Sequence, residues 1–230
     1  MLTLYHHAIS ASSRYVRLVI AEYGQNVEFI EERVWERRPE FIQLNPACTL
    51  PVLIDNGRDP VCGGIVAGEY LDETSGAMMR EKRLMPENPG DRAEIRRLVE
   101  WYLIKFEDEV VRHITGEKLL KQMQRQGEGG GAPDSGIIRA GRANLKNHLK
   151  YTGWLAASRN WLGGDQLSQA DLAAAAAISI LDYLGEIDWA EEPAAKDWYA
   201  RVKSRPSFRP LLADKLSGLP PASHYIDLDF

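Results

Sequence analysis

Residues 39–57 read Pro39-Glu40-Phe41-Ile42-Gln43-Leu44-Asn45-Pro46-Ala47-Cys48-Thr49-Leu50-Pro51-Val52-Leu53-Ile54-Asp55-Asn56-Gly57. A short helix is expected over 36–44. Asn45-Pro46 stops it, because a residue before proline is pushed out of the helical region. The apolar run 50–54 has the length of a buried strand, and Asp55-Asn56-Gly57 bounds it as a turn. Helix, stop, strand and turn follow one another with almost no spare residues.

Working outward from this stretch extends the alternation. Upstream, residues 2–6 read as a strand. Ser10-Ala11-Ser12-Ser13 supplies polar caps for an amphipathic helix over 14–23, which Gly24 ends. A second strand is expected over 27–30. Downstream, a brief strand near Pro60-Val61 precedes a helix over 65–71. Strands alternating with helices imply a partly parallel sheet, and the short link between the last two strands implies an antiparallel hairpin.

The pattern changes after Arg83-Leu84-Met85-Pro86-Glu87-Asn88-Pro89-Gly90-Asp91, a Pro/Gly/polar stretch read as a linker. Ile95, Leu98, Tyr102, Phe106, Val110 and Ile114 then recur every three or four residues, the stripe of a long helix. The glycine-rich run 127–136 breaks it. A second long helix is expected over 137–157. A third, nearly all apolar and hence central, is expected over 167–184. Shorter helices follow over 198–204 and 208–216. The domain plan is therefore an α/β domain over 1–82, a linker over 83–91, an all-helical domain over 92–216 and an extended tail over 217–230.

Composition narrows the function classes. The chain has 230 residues, a net charge of -5, 44% hydrophobic and 27% charged residues. These are values of an ordinary globular protein that needs no disulfide or metal staple. The acidic balance argues against a nucleic-acid partner. No basic segment followed by an apolar one opens the chain, so no signal peptide is expected and a cytoplasmic placement is. The longest apolar run, near 172–181, is about half the roughly 20 residues of a membrane span, so no direct membrane insertion is expected.

Metal and redox chemistry have little support. Cys48 and Cys62 are thirteen residues apart in the intervening chain, without the spacing of a dithiol pair. His6 and His7 are adjacent on a strand and face opposite ways. Glu109, His113 and Glu117 lie four apart on one helical face, a pattern typical of a solvated charged stripe. No metal site is assigned.

Several motifs stand in a recognisable order. They are Ser10-x-x-x-Arg14-x-Val16-Arg17, then Pro39-Glu40-Phe41-x-x-Leu44-Asn45-Pro46 leading to Leu50-Pro51-Val52-Leu53, then Glu69-Tyr70-Leu71-Asp72-Glu73. Gly163-Gly164-Asp165-x-x-Ser168-x-Ala170-Asp171 and Trp198-Tyr199-x-Arg201-Val202-x-x-Arg205-Pro206-Ser207-Phe208 follow in the helical half. Together they resemble the glutathione transferase superfamily. The resemblance implies a thioredoxin-like first domain, an all-α second domain and a cis bond before Pro51. A cis bond there would leave the N–H and C=O of Leu50 free to pair with a peptide-like ligand.

A glutathione transferase must hold the tripeptide and lower its thiol pKa. In serine-type members a hydroxyl at a helix N-terminus serves the thiolate, aided by the helix dipole. Ser10 is the best match, seven residues before Arg17, with Ser12 and Ser13 less well placed. A plain helix cap explains the same serines. The tripeptide site departs from the family. Its usual Glu-Ser pair falls on Gly63 and Gly64, and its frequent Lys or Gln before the proline falls on Thr49. Losing several hydrogen bonds to charged groups, at roughly 1.5–3 kcal/mol each, would reduce micromolar binding to almost nothing. The cleft of Ser10, Leu50, Pro51, Gly63 and Gly64 thus keeps the family's outline without its ligand set. No catalytic residue and no cofactor are assigned; the alternative is a serine-type transferase with Ser10 at the thiolate and glutathione as its substrate.

Two features stand outside these motifs. Trp35-Glu36-Arg37-Arg38 sets a tryptophan among charges in a connection, and Trp and Arg are enriched in interface hot spots; a tryptophan covering the edge of its own domain explains the same residue. The chain ends His224-Tyr225-Ile226-Asp227-Leu228-Asp229-Phe230. In an extended conformation one edge is apolar and the other acidic, suited to a groove or a sheet edge; the alternative is that the tail packs back on its own helices. This ending, Pro220-Pro221 before it and the missing Glu-Ser resemble the FtsZ-localised protein A family of alphaproteobacteria. That resemblance implies a homodimer that binds, bundles and curves filaments of the division protein FtsZ at the division site. Partner contacts are expected at Trp35, Arg37 and Arg38 on their residue types, and at Asp227, Leu228, Asp229 and Phe230 of the tail. The tail would serve FtsZ or a further division protein.

Overall fold

The structure is a computed structural model and describes residues 1–124, 129–216 and 218–228. The first domain holds β1 (Leu2–His6), α1 (Ala11–Glu22), β2 (Val27–Glu31), α2 (Pro39–Leu44), β3 (Val52–Asp55), β4 (Val61–Cys62) and α3 (Gly64–Thr74). The sheet order is β2-β1-β3-β4. β1 pairs parallel with β2 and antiparallel with β3, which pairs antiparallel with β4. Leu4 sits in register with Phe29 on one side and Leu53 on the other. This is the thioredoxin-like α/β domain with a mixed four-stranded sheet.

Two boundaries moved for local reasons. The helix expected over 36–44 divides into a 3-10 turn, Val34–Glu36, and α2 beginning at Pro39. Arg37 takes a left-handed φ of 48°, which no helix continues through. α1 begins at Ala11, three residues ahead of the expected start, because Ser10 is its cap.

The second domain is helical: α4 (Pro89–Glu100), α5 (Arg112–Thr115), α6 (Lys121–Met123), α7 (Ser135–Ser158), α8 (Gln169–Tyr183), α9 (Pro193–Lys203) and α10 (Arg209–Leu212). Asn88 caps α4 and Pro89 occupies its first turn. α4, α5 and α6 are one helix joined by wide π-helical segments at Trp101–Lys105, Glu107–Val111 and Gly116–Leu120. The sequence supplies a reason. Its apolar residues advance in repeated steps of four, and each step would rotate an α-helical stripe by about 40°. Wider turns absorb that drift, and Ile95, Leu98, Tyr102, Phe106, Val110 and Ile114 are all buried.

Every residue of α8 is buried, so the helix is the axis of the molecule. Ser168 and Asp171 close its start as a capping box. It packs on α4 and α9 within its domain and on α1 across the interface. One continuous core includes Leu4, Val16 and Leu53 from the first domain with Leu98, Phe106, Leu172 and Trp198 from the second. Polar ties cross the same boundary. Tyr15 Oη donates to Gln169 Oε1 at 2.8 Å, and Gln169 Nε2 donates to the Gly68 carbonyl at 3.0 Å. Glu22 accepts both arms of Arg205 at 2.6 and 2.8 Å. The two domains are therefore joined by both apolar packing and hydrogen bonds.

Among the described residues, no helix is long and apolar enough to cross a membrane.

Candidate functional site

The Ser10 hydroxyl sits at the N-terminus of α1, and its oxygen accepts from the Ser13 amide at 3.1 Å. That is the geometry of a helix cap. Ser10 remains half-buried. Leu50–Pro51 is cis. Pro51 is buried, and its carbonyl accepts from the Gly63 amide at 2.9 Å. Thr49 is held locally, its carbonyl and hydroxyl accepting from Asn45 Nδ2 at 2.9 and 3.1 Å.

The glycine pair has a structural cause that spacing does not reveal. Gly63 has a φ of +93°, a conformation side chains rarely adopt, and Gly64 is buried against Ser12. A Cβ on Gly64 would lie 2.9 Å from the Ser12 Cβ. The α3 N-terminus thus meets the first turn of α1 directly. Ser12, ranked behind Ser10 as a thiolate partner, is the residue that fills this end of the cleft. The thioredoxin-like frame brings Ser10, Pro51, Gly63 and Gly64 to one end of the sheet, with no acidic or hydroxylic side chain on the glycine pair.

A second region adjoins it. Trp35 is half-buried, with its ring edge-on to His7 at 5.1 Å. His7 faces Glu31 at 3.7 Å, its Nδ1 accepts from the Ile9 amide at 3.3 Å, and burial lowers its pKa. His6 points the other way, onto Phe29 at 5.3 Å. A cleft of about 440 Å³ opens between Trp35, Arg33 and Ala8 of the first domain and Met123, Lys215 and Leu216 of the second. Its lining is of mixed charge: Arg33 pairs with Glu31 at 3.7 Å and with Glu36 at 3.4 Å, and Lys215 lines the cleft from the second domain. Arg37 and Arg38 are exposed beside it, and Arg38 pairs with the buried Glu32.

The described tail is not extended. Residues 223–226 form a turn, with the Tyr225 amide bonded to the Ala222 carbonyl at 2.9 Å and Asp227 to His224 at 3.1 Å. The cause is Tyr225, fully buried against Tyr183 with ring centroids 5.1 Å apart. Ile226, Asp227 and Leu228 are exposed beyond it. Asp229 and Phe230 lie outside the described residues.

The tail's anchors were missed in the sequence. Buried Arg14 donates to Tyr225 Oη at 3.0 Å, and Arg17 pairs with Asp214 at 2.7 Å. Lys203, with no exposed side-chain surface, donates to Asp182 at 3.3 Å. Arg14 and Arg17 stood in a quoted motif, and that was the available signal. The stripe Glu109, His113, Glu117 also needs correction. Glu117 is buried and accepts from Lys121 and from the Asp134 amide, both at 2.6 Å. Glu109 accepts from Lys105 and meets His148 Nε2 at 2.9 Å. No group of three metal-ligating side chains forms among the described residues. Both cysteines are half-buried free thiols, and burial pushes the Cys62 thiol up.

Comparison with known proteins agrees with this geometry. The glutathione S-transferase N-terminal domain model matches residues 9–74, and the C-terminal domain model matches residues 140–206. FtsZ-localized protein A of Caulobacter vibrioides is 42% identical over 99% of this chain and 98% of its own. A crystal structure described as a glutathione S-transferase from Sinorhizobium meliloti superposes with a TM-score of 0.98 at 57% identity, covering 100% of both chains. The structure of FzlA from C. crescentus superposes with a TM-score of 0.92 at 42% identity, covering 100% of this chain and 99% of that one. The chain belongs to the glutathione S-transferase superfamily and, within it, to the family of FtsZ-localized protein A.

Proposed function

We propose that this chain is a cell-division protein that acts at the division site, where it binds FtsZ filaments and bundles or curves them as a homodimer without transferase chemistry. The observation that carries the reading is the 42% identity to FtsZ-localized protein A across 99% of the chain. The packing of Gly64 on Ser12 supports it, since the positions that would hold a γ-glutamyl group carry no side chain. The filament contact is assigned to the half-buried Trp35 and the exposed Arg37 and Arg38 beside the interdomain cleft. A two-fold dimer presents that surface twice. Two weak contacts to adjacent filaments reinforce each other through effective concentration. The exposed Asp227 and Leu228 form a second contact, to FtsZ or to a further division protein.

The test is co-sedimentation with FtsZ polymerised in GTP, with unpolymerised FtsZ as the control. Pelleting only with polymer, and thickened filaments, support the reading. Protein that stays in the supernatant at tens of micromolar rejects it.

A transferase reading is kept because a 57% identical structure is described as a glutathione S-transferase and Ser10 lies at the α1 N-terminus. Turnover of an electrophilic aromatic substrate with glutathione, lost in Ser10→Ala, would establish it. No retention on immobilised glutathione would remove it.

A further inference from the structure

The tail folds back onto the residues that line the Trp35 cleft. Lys215 and Leu216 line the cleft directly. Leu216 also joins Leu119, Tyr183 and the tail's Tyr225 in a small apolar cluster separate from the main core. Ala8 and Ile9, the loop between β1 and α1, pack on that cluster. Four distant pieces of chain therefore share one packing unit beside the cleft.

Arg14 ties the same pieces together with hydrogen bonds. Its guanidinium is 1% exposed. Nε donates to the Ala8 carbonyl at 2.6 Å, and Nη1 donates to Ser179 Oγ at 2.8 Å and Tyr225 Oη at 3.0 Å. Tyr225 Oη donates onward to the Leu211 carbonyl at 3.1 Å. The Tyr183 carbonyl accepts from the Ala222 amide at 2.9 Å, and Tyr183 Oη donates to the Leu219 carbonyl at 2.7 Å. A buried guanidinium has rigidly arranged donors that must be filled, so losing one acceptor disturbs how the others are met. The Ala8 carbonyl, at the cleft, and the Tyr225 hydroxyl, on the tail, are acceptors of one cation.

From this chain of contacts we infer that Tyr225 is a positioning residue. The tail, docked through Tyr225 and Arg14, sets the Ala8 loop and hence the Trp35 cleft, so tail docking and occupancy of the cleft favour each other. The partner in this inference is the FtsZ filament, so that half rests on the function proposed above. Linkage requires the coupling to run both ways.

The experiment is hydrogen–deuterium exchange of the full-length protein and of Tyr225→Phe, each with and without GTP-polymerised FtsZ. Phe keeps the ring against Tyr183 and removes only the hydroxyl. In Tyr225→Phe, the tail amides of Ala222 and Tyr225 should exchange about tenfold faster, and so should the loop amides of Ser10 and Ser13. Half-saturation with filaments should rise by about threefold or more. Reciprocally, saturating filaments should slow exchange at Ala222 and Tyr225 in the wild type. Removing residues 227–230 leaves Tyr225 in place and should leave the loop unchanged.

A loosened tail with an unchanged loop would overturn the inference. So would wild-type tail exchange that filaments do not alter, and that comparison decides the matter if Tyr225→Phe fails to fold. If the wild type does not bind filaments, the FtsZ reading fails along with the partner half of the inference. Loop exchange in Tyr225→Phe then still decides whether the tail sets the loop.

Discussion

Gly64 and Ser12 touch so closely that a Cβ on Gly64 would sit 2.9 Å from the Ser12 Cβ. The contact joins the N-terminal ends of α3 and α1. It makes the missing side chain at position 64 a consequence of packing, whereas a Cβ at position 63 would meet nothing within 4 Å and is disfavoured there by a φ of +93°.

Gly64→Ser is therefore expected to destabilise the fold by about 1–3 kcal/mol, the usual cost of overpacking. Ser12→Gly removes the opposing Cβ and should recover a large part of that loss. Thermal melts of the two single variants and the double variant measure the coupling. Strict additivity would show that the contact relaxes freely.

Trp35→Ala should weaken filament binding by fivefold or more, about 1 kcal/mol or above, as for an aromatic anchor at an interface. The residue is only half-buried, so the fold should persist. Co-sedimentation titrations measure the first effect and circular dichroism the second. Unchanged binding would take Trp35 out of the contact.

Glu107 offers a pH prediction. Its Oε2 is buried with no hydrogen-bond partner, and burial raises its pKa to about 7. A carboxyl with a raised folded pKa binds more protons folded than unfolded across pH 4.5–7, so its contribution to stability falls as pH rises through that window. Glu107→Gln should then melt higher than the wild type at pH 8, by on the order of 1–3 kcal/mol, with the gap closing toward pH 4.5. His6 acts oppositely. Its pKa is lowered to about 4, first by burial and then by Arg17, so stability is lost as pH falls from 6.5 toward 4. Comparing Glu107→Gln with the wild type at each pH cancels the His6 effect. A gap that does not depend on pH would reject the Glu107 assignment.

Asp227 is exposed one turn beyond the buried Tyr225. Asp227→Lys should change stability by no more than about 0.5 kcal/mol. It should nevertheless impair division in cells that depend on this protein, as should removal of the last four residues. Cell length and constriction measure the effect. Normal division with the tailless protein would show that the exposed end has no partner.

The fold class was legible because its signals are local. The apolar run ending in Asp55-Asn56-Gly57, the Ser168–Asp171 box and the stripe from Ile95 to Ile114 each express a period or a cap within a few residues. The motifs around Pro51 and Ser168 carried the family. The α2 boundary was misplaced because Arg37 adopts a left-handed φ that an arginine does not advertise. The tail's sequence left two readings open, an extended edge from the alternation in Ile226-Asp227-Leu228 and a return onto the helices, and burial of the adjacent Tyr225 decides for the second.

By itself, the sequence determined the order of strands and helices, their caps and the loss of side chains at positions 63 and 64. Only the tertiary structure decided what those glycines touch, where the Trp35 cleft opens and how the tail lies. The physical reason is distance along the chain. Arg14 and Tyr225 are 211 residues apart and Tyr15 and Gln169 are 154 apart. Neither pair leaves a periodic trace, because such contacts are selected by how the α1–α8 interface packs and by the need of buried donors for acceptors.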